Sequence, residues 1–177
     1  MNRKLRNEEL GRHFPEEYKA VSKLPIVIVL DDIRSLANVG SVFRTADAFL
    51  VSEVILCGIT GRPPHRDIHK AALGATETVC WSYEASAESA VETLKSGGYS
   101  IVAIEQCEQS YEPGIIEALN YDKVALVFGN EVDGVRQAVV DRADAVMEIP
   151  QAGTKHSLNV AVAAGIVIWE WFKYYSR

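Results

Sequence analysis

The stretch "AVMEIPQAGTKHSLNVAVAAG", residues 145–165, joins two apolar segments through a long polar loop. Residues 145–149 have the apolar character of a short strand, and Pro150 marks its end. An Ala- and Val-rich helix follows and stays apolar to the C-terminus. An ordinary connection would need fewer residues than this loop, which carries Ser157 and Asn159 just before the helix. The loop is therefore predicted to hold a ligand.

Strand-like and helix-like segments alternate along the rest of the chain. Residues 25–30, "PIVIVL", are a continuous apolar run of the kind that fills a parallel sheet, and residues 38–50 have apolar residues at helical spacing. This alternation predicts an α/β fold with a mainly parallel sheet. The other predicted strands are residues 53–59, 77–82, 99–105, 123–129 and 145–149, the other predicted helices are residues 86–98, 135–143 and 159–175, and residues 61–70 are predicted to form a loop.

Length and composition predict one main domain with a short extension. The 177 residues suffice for a sizeable core. Residues 1–24 are predicted to form a helical arm, with a helix start at Pro15, and residues 25–177 the main domain. No apolar run reaches the roughly 18 residues of a membrane span, and the N-terminus lacks the apolar core of a signal peptide. We therefore expect a cytoplasmic protein with no membrane partner. The widely spaced cysteines are expected to be reduced thiols.

The charge distribution neither requires nor excludes an RNA partner. The chain carries 24 Asp and Glu against 18 Lys and Arg, which gives a net charge of −6. Residues 84–120 are strongly acidic, whereas residues 1–24 have a basic excess. Because the acidity is concentrated in one segment, a separate face can still be basic.

Three unusual loops follow predicted strands, and each combines Gly or Pro with Asn, Ser, Glu or Arg. They are residues 31–44, residues 129–135 and residues 150–159. Ligands of open parallel sheets bind beyond the carboxyl ends of the strands. Three such loops at one sheet edge indicate a binding site more strongly than any one of them.

Each loop also has a simpler interpretation. Residues 128–134 lack the Lys-Ser/Thr of a phosphate-binding P-loop and can be a Gly-rich turn. Arg44, close to Asn38, is either a solvated charge or an anion-binding guanidinium at a helix start. Ser157 is not part of a G-x-S-x-G elbow, so a hydrogen-bonding role at the helix start is more economical than a nucleophilic one.

Two further features have competing explanations. His65 and His69 have the i, i+4 spacing of a metal pair, but the preceding Pro63-Pro64 argues against a helix there, so no metal is expected and a basic substrate loop is favoured. The closing helix, residues 159–175, is apolar on nearly every side and needs cover on more than one face. It is either a central core helix or, as we favour, a dimer interface.

The three loops, in this order, resemble the motifs of the SpoU branch of the SPOUT RNA methyltransferases. "NVGSVFRTADAF" is similar to the first motif, "LVFGNEVDGV" to the second and "EIPQAGTKHSLNVAVAAGI" to the third. The middle stretch "GRPPHRDIHKAALGA" resembles the segment that these proteins place over the RNA side of the site. The likeness extends over residues 25–175. Departures are Gln151, where the family usually has Met, and Ala161, where Ser is common.

The resemblance implies a Rossmann-like sheet whose C-terminal part forms a deep trefoil knot, in a homodimer joined through the C-terminal helix and the knot. It implies S-adenosylmethionine as cofactor, S-adenosylhomocysteine as product and no metal. The implied catalytic residues are Asn38, Arg44, Glu131, Ser157 and Asn159; the implied cofactor-binding residues are Ile104, Gly129, Ile149, Ser157 and Leu158; and the implied RNA-binding residues are Arg44, Arg62, His65, Arg66 and Lys70.

The implied reaction is methyl transfer to a ribose 2′-hydroxyl. Arginine has a pKa above about 12 and is a poor general base. Our hypothesis is that Arg44 fixes the adjacent phosphate and stabilises the developing alkoxide, while the proton leaves through phosphate or water. The minimal chain favours tRNA over rRNA as substrate, by analogy with the family. The competing interpretations are base methylation and a non-catalytic RNA-binding protein; an oxidoreductase lacks its dinucleotide fingerprint.

Overall fold

The fold is built on one parallel sheet. The computed structural model describes residues 2–177; Met1, the first residue of the predicted arm, lies outside the described residues. Six strands pair in the order β3-β2-β1-β5-β4-β6, and every pairing is parallel. The predicted α/β class is confirmed. The strands are β1 Leu24–Asp31, β2 Val51–Cys57, β3 Trp81–Glu84, β4 Ser100–Ile104, β5 Val124–Phe128 and β6 Ala145–Met147.

Helices cover both faces of the sheet. They are α1 Pro15–Ala20, α2 Leu36–Ala48, α3 Arg66–Ala72, α4 Ala75–Thr78, α5 Ala87–Ser96, α6 Ile116–Leu119, α7 Gln137–Val140 and α8 Val160–Tyr175, with short 3-10 helices at Asn7–Glu9 and Pro113–Ile115. The helix start at Pro15 is confirmed, and α1 is held against α2 because the buried Tyr18 donates its hydroxyl hydrogen bond to the Asp47 carbonyl.

The central strand β1 is apolar without alternation because both of its faces are covered. Ile26, Ile28 and Leu30 point into a core shared with α2, α3 and α8. Val27 and Val29 point into a second core, shared with α5 and α7. Successive side chains of a strand face opposite sides, so a strand covered on both sides reads as a continuous apolar run.

The structure corrects two local predictions between β2 and β3. Residues 61–70 are not all loop, because α3 begins at Arg66 and the His65 Nδ1 atom accepts the Asp67 N–H as its N-cap. The predicted strand 77–82 begins only at Trp81, since residues 75–78 form α4 after Gly74, whose φ is +92°. The helical turns between β4 and β5, at Pro113–Ile115 and α6, were not predicted.

Candidate functional site

A cavity of about 470 Å³ lies beyond the carboxyl ends of β4, β5 and β6. This is the edge at which open parallel sheets bind ligands. Two of the three predicted loops, those after β5 and β6, line the cavity. The loop after β1 does not line it but is joined to it by hydrogen bonds through Asn38.

The loop after β5 depends on two glycines. An added Cβ at Gly129 would lie 1.9 Å from the carbonyl carbon of Gly134. Gly134 has a φ of +67°, and a Cβ there would meet the Glu105 carboxylate at 2.1 Å. The Asn130 side-chain oxygen accepts the N–H groups of Val132 and Asp133, each at 2.8 Å, and closes the turn. The loop is therefore a tight, defined turn.

Replacing Gly129 with alanine is expected to lower affinity for the ligand of this cavity by at least about tenfold, since the added methyl group forces the loop apart. The measurement is calorimetric titration with S-adenosylmethionine. Gly114→Ala is the matched control, because a Cβ there meets nothing within 4 Å. Equal affinity of Gly129→Ala and the parent protein would contradict the role given to the loop.

Three predicted catalytic side chains meet at the rim of the cavity. The Asn38 amide donates to Glu131 Oε1 at 3.0 Å, and the Asn159 amide donates to Asn38 Oδ1 at 3.1 Å. Asn159 also accepts the Ala161 N–H at 2.9 Å and so caps α8. This hydrogen-bonded chain ties the loops after β1, β5 and β6 to one another.

The hydrogen bonds keep Glu131 ionised. Partial desolvation alone would raise the pKa of its carboxyl, but hydrogen bonds from its own backbone N–H, from the Asn38 amide and from the backbone of Arg34 and Ser35 lower that pKa below its usual range. A negative charge is thus held at the rim.

The cavity lining is acidic and partly apolar. Among residues 2–177, no Lys or Arg lines the cavity. Its lining includes His156 and four carboxylates, Glu105, Glu131, Asp133 and Glu148. Phe128, Met147, Ile149 and Leu158 supply apolar surface. This arrangement favours a ligand that combines a cationic centre with a flat apolar group.

The predicted cofactor-binding residues line the cavity, but Arg44 does not. All five of these residues are in the lining: Ile104, Gly129, Ile149, Ser157 and Leu158. Arg44 is exposed on α2, outside the cavity, and its side chain makes no hydrogen bond or ion pair within residues 2–177. A single chain therefore does not place Arg44 at the cavity.

The predicted RNA-binding side chains form a separate surface. The exposed side chains on α3 and the loop before it include Arg62, His65, Arg66 and Lys70.

His65 and His69 belong to no group of three or more His, Cys, Asp or Glu that could hold a metal among the described residues. No described helix is long and apolar enough to cross a membrane.

Sequence reasoning missed two side chains of the site, Glu105 and Gln106. Glu105 Oε2 accepts the Val135 N–H at 2.8 Å, and the Gln106 amide donates to the His156 carbonyl at 2.8 Å. They therefore hold the loops after β5 and β6. Their position just after β4 was the available signal, because ligands bind beyond strand ends.

An ion-pair cluster anchors the C-terminal end of the loop after β5. Arg136, which follows the loop after β5, pairs with Asp32, with Glu88 at 3.4 Å and with Asp31 at 3.4 Å. Asp31 is fully buried, and neither of its carboxylate oxygens accepts a hydrogen bond from the described residues. Burial raises the pKa of Asp31 to about 6 although Arg136 opposes that shift. Arg136 thus ties the end of the loop to the end of β1.

Comparison with known proteins identifies relatives of the chain. Residues 25–169 match the model of the SpoU rRNA Methylase family. The 23S rRNA (guanosine-2′-O-)-methyltransferase RlmB of Neisseria meningitidis is 32% identical over 158 residues, which are 89% of this chain and 62% of that relative. A putative TrmH family tRNA/rRNA methyltransferase of Staphylococcus saprophyticus is 32% identical over 90% of this chain and 63% of its own length.

Solved structures have the same fold. The AdoMet-bound rRNA methyltransferase from Sinorhizobium meliloti superposes with a TM-score of 0.79 at 29% identity, covering 89% of this chain and 60% of that one. The A. aeolicus TrmH/SpoU tRNA modifying enzyme superposes with a TM-score of 0.80 at 24% identity, covering 92% and 86%. The chain spans less than two thirds of the length of the two relatives by sequence. Its match to the family model extends over most of its residues, and the chain belongs to the SpoU methylase family.

Proposed function

We propose that this protein is an S-adenosylmethionine-dependent RNA methyltransferase that acts on a ribose 2′-hydroxyl. The observation that carries the proposal is the hydrogen-bonded set Asn38, Glu131 and Asn159, which joins the three family motifs beside one acidic cavity. The relative from Neisseria is named a guanosine-2′-O-methyltransferase, and the structure from Sinorhizobium is named as bound to AdoMet.

The cavity residues fit this cofactor. The four carboxylates suit its positive charges, and the apolar side chains and main chain near Gly129, Ile149 and Leu158 suit its adenine ring and ribose. When bound, S-adenosylmethionine supplies a methyl group already activated by its sulfonium charge, and S-adenosylhomocysteine is the product. Gln151 lines the cavity with an exposed side chain, so we expect cofactor binding through main-chain groups to survive the departure from Met.

The residues of the chain would act mainly by positioning and electrostatics. Asn38, Glu131 and Asn159 hold the loops and the target nucleotide, and Ser157 serves both cofactor and substrate. Arg44 binds the phosphate next to the target ribose and stabilises the alkoxide that develops on the 2′-oxygen. The proton of the hydroxyl leaves through phosphate or water, since an arginine does not accept it.

A homodimer would complete the site. The exposed face of α8 carries Val162, Ile166 and Trp169, which are 52%, 37% and 45% exposed. The spacing of these residues, four and three positions apart, places them on one side of the helix. The side chain of Trp169 contacts Phe49 at the end of α2, the helix that also carries Arg44. A second subunit seated on this face would cover the apolar side chains and lie beside Arg44.

The relatives change the order of the proposed substrates. The expectation from the sequence is tRNA, but the relative from Neisseria is named for 23S rRNA and the one from Staphylococcus for tRNA or rRNA. We therefore place rRNA ahead of tRNA.

The deciding experiment incubates the protein with radiolabelled S-adenosylmethionine and either unmodified 23S rRNA or unmodified tRNA, and measures the label in each RNA. Label in the tRNA alone would reverse the order, and label in neither RNA would contradict the enzyme assignment.

Three architectural proposals accompany this function. Residues 1–24 form an arm and residues 25–177 the methyltransferase domain, which is supported by the start of β1 at Leu24. The segment after β6 passes through a deep trefoil knot, a proposal supported by the return of α8 to pack on α2 and β1. Stretching the chain by its ends under denaturing force tests the knot, because a retained knot shortens the fully extended chain. A cytoplasmic location stays a prediction.

A further inference from the structure

A second cleft, of about 480 Å³, shares no lining residue with the first cavity and lies between the loop before α3, the helices α3 and α4, and the edge strand β3. We propose that this cleft, called here the Trp81 cleft, binds an unpaired base of the RNA by stacking it on the Trp81 ring. The inference rests on the proposed function for the nature of the ligand. It adds a base-binding site that is separate from the place of methyl transfer.

The fold leaves two aromatic side chains of the edge strand open, Trp81 in the lining of the cleft and Tyr83 two residues further along β3. Trp81 and Tyr83 are 36% and 41% exposed and lie on the same face of β3, two residues apart. Their partners on β2, Val54 and Leu56, are completely buried by the helices of that face. The helical layer therefore ends before the edge strand, and two aromatic rings stay accessible to a ligand.

Two arginines lie beside these rings, Arg62 at Tyr83 and Arg66 in the lining of the Trp81 cleft. The Arg62 guanidinium lies 4.3 Å from the centre of the Tyr83 ring. Arg66 and Lys70 are exposed one turn apart on α3 and form no ion pair within residues 2–177. A local basic excess beside open aromatic rings, on a chain with a net charge of −6, matches a ligand with stacked bases and phosphates.

Polar groups at the cleft can contact the edge of a base. Glu77 carries an exposed carboxylate that can accept N–H groups of guanine or cytosine. The His65 Nδ1 atom accepts the Asp67 N–H, which leaves Nε2 as the protonated, donating nitrogen of the neutral ring. Asp67 and Glu77 also limit the positive charge, so the cleft is suited to a stacked base with a few phosphate contacts.

The cleft is attached to the catalytic loops. An added Cβ at Gly61 would lie 2.2 Å from Leu36 Cδ2, so the loop that carries Arg62 is packed against the first residue of α2. Asn38 is two residues further along that helix. An RNA held in the Trp81 cleft would therefore be anchored on the element that presents Asn38 to the cavity.

Variants of Trp81 test the inference by RNA binding. The probe is a fluorescein-labelled single-stranded RNA of mixed sequence, followed by anisotropy. Base–aromatic stacking is worth about 1–3 kcal/mol, so Trp81→Ala is expected to weaken RNA binding by about 5- to 150-fold. Trp81→Phe is expected to restore most of the affinity. The slope of affinity against salt should stay unchanged in Trp81→Ala, whereas Arg66→Ala should lower it by about one phosphate contact.

Tyr111→Ala is the matched control, because Tyr111 is 49% exposed and lies in the acidic segment. Normal affinity of Trp81→Ala, or no RNA binding by the parent protein, would overturn the inference. Dissociation of a dimer by Trp81→Ala would also overturn it, because it would assign the surface to a protein partner.

A second measurement uses the unmodified protein and needs no variant to fold. RNA containing 4-thiouridine is crosslinked by ultraviolet light, and the attached peptide is identified by mass spectrometry. A crosslink within residues 62–83 is expected, and crosslinks confined to other segments would overturn the inference. If Trp81→Ala loses RNA binding but the parent protein transfers no methyl group, only the proposed function is contradicted. If the parent protein transfers methyl groups and Trp81→Ala has the same KM for RNA, only the inference is contradicted.

Discussion

Replacing Arg44 with alanine is expected to lower the rate of methyl transfer by about 10²- to 10³-fold, while affinity for S-adenosylmethionine stays unchanged. Loss of one group that stabilises transition-state charge typically has an effect of this size. The cofactor is unaffected because Arg44 lies outside the cavity, exposed on α2. Single-turnover kinetics and calorimetric titration measure the two quantities separately.

Two further variants sharpen this result. Arg44→Lys keeps the charge but loses the planar fork that binds two phosphate oxygens, so an intermediate rate is expected. Arg142→Ala is the control, because Arg142 is exposed and its ion pair, with Glu92, lies on the opposite face of the sheet. Wild-type turnover in both Arg44→Lys and Arg44→Ala would remove Arg44 from the proposed mechanism.

Replacing Arg136 with methionine is expected to destabilise the protein by about 2–3 kcal/mol at pH 8, less than the loss of a fully buried ion pair, because the Arg136 side chain is 37% exposed. The loss arises because the fully buried Asp31 carboxylate is left without its partner. The measurement is the free energy of unfolding in urea. Arg142→Met is the matched control and should change it by less than about 1 kcal/mol, as expected for a surface ion pair.

The loss in Arg136→Met is expected to shrink as the pH falls. The pKa of Asp31 is raised to about 6 even with Arg136 present, from an ordinary value of 3.8. A carboxyl whose folded-state pKa is raised binds its proton more tightly in the folded state, so its contribution favours folding increasingly as the pH falls from above 6 toward 4. Removing Arg136 raises this pKa further, and protonation then relieves the buried charge. A second substitution, Asp31→Asn, should abolish that pH dependence.

An equal loss of stability at pH 5 and pH 8 would contradict this account of Asp31.

The substitution Arg136→Met has a second readout at the cofactor cavity. Arg136 directly follows Val135, whose N–H is held by Glu105 at 2.8 Å, so the loop after β5 should loosen and affinity for the cofactor should fall. A variant that is destabilised but binds cofactor normally would restrict Arg136 to a structural role.

The parts of the fold that sequence could predict are those fixed by local pattern. The apolar run of β1 and the helical spacing of α2 are local signals, and both elements are present. The helix α3 was missed because Pro63-Pro64 argues against a helix, whereas His65 supplies a cap immediately afterwards. A cap of this kind depends on the backbone geometry of one residue, which composition does not reveal.

The site was predictable as a set of residues but not as an arrangement. Resemblance of the motifs named Asn38, Glu131 and Asn159, yet their hydrogen bonds join residues 93 and 121 positions apart. The ion pairs of Arg136 with Asp31 and Asp32 also join distant positions, and nothing in the local sequence of either segment indicates them. Such contacts follow from the strand order, in which β5 lies between β1 and β4.

The central claim is that this chain methylates a ribose 2′-hydroxyl of RNA. The most direct measurement is methyl transfer from labelled S-adenosylmethionine to unmodified RNA, followed by digestion of the product to single nucleosides. Alkaline digestion adds a chemical check, since a 2′-O-methyl group removes the hydroxyl that attacks the neighbouring phosphate. We predict label in a 2′-O-methylnucleoside within an alkali-resistant dinucleotide, and its loss in Arg44→Ala. Label recovered only in a methylated base, with every linkage cleaved by alkali, would contradict the claim.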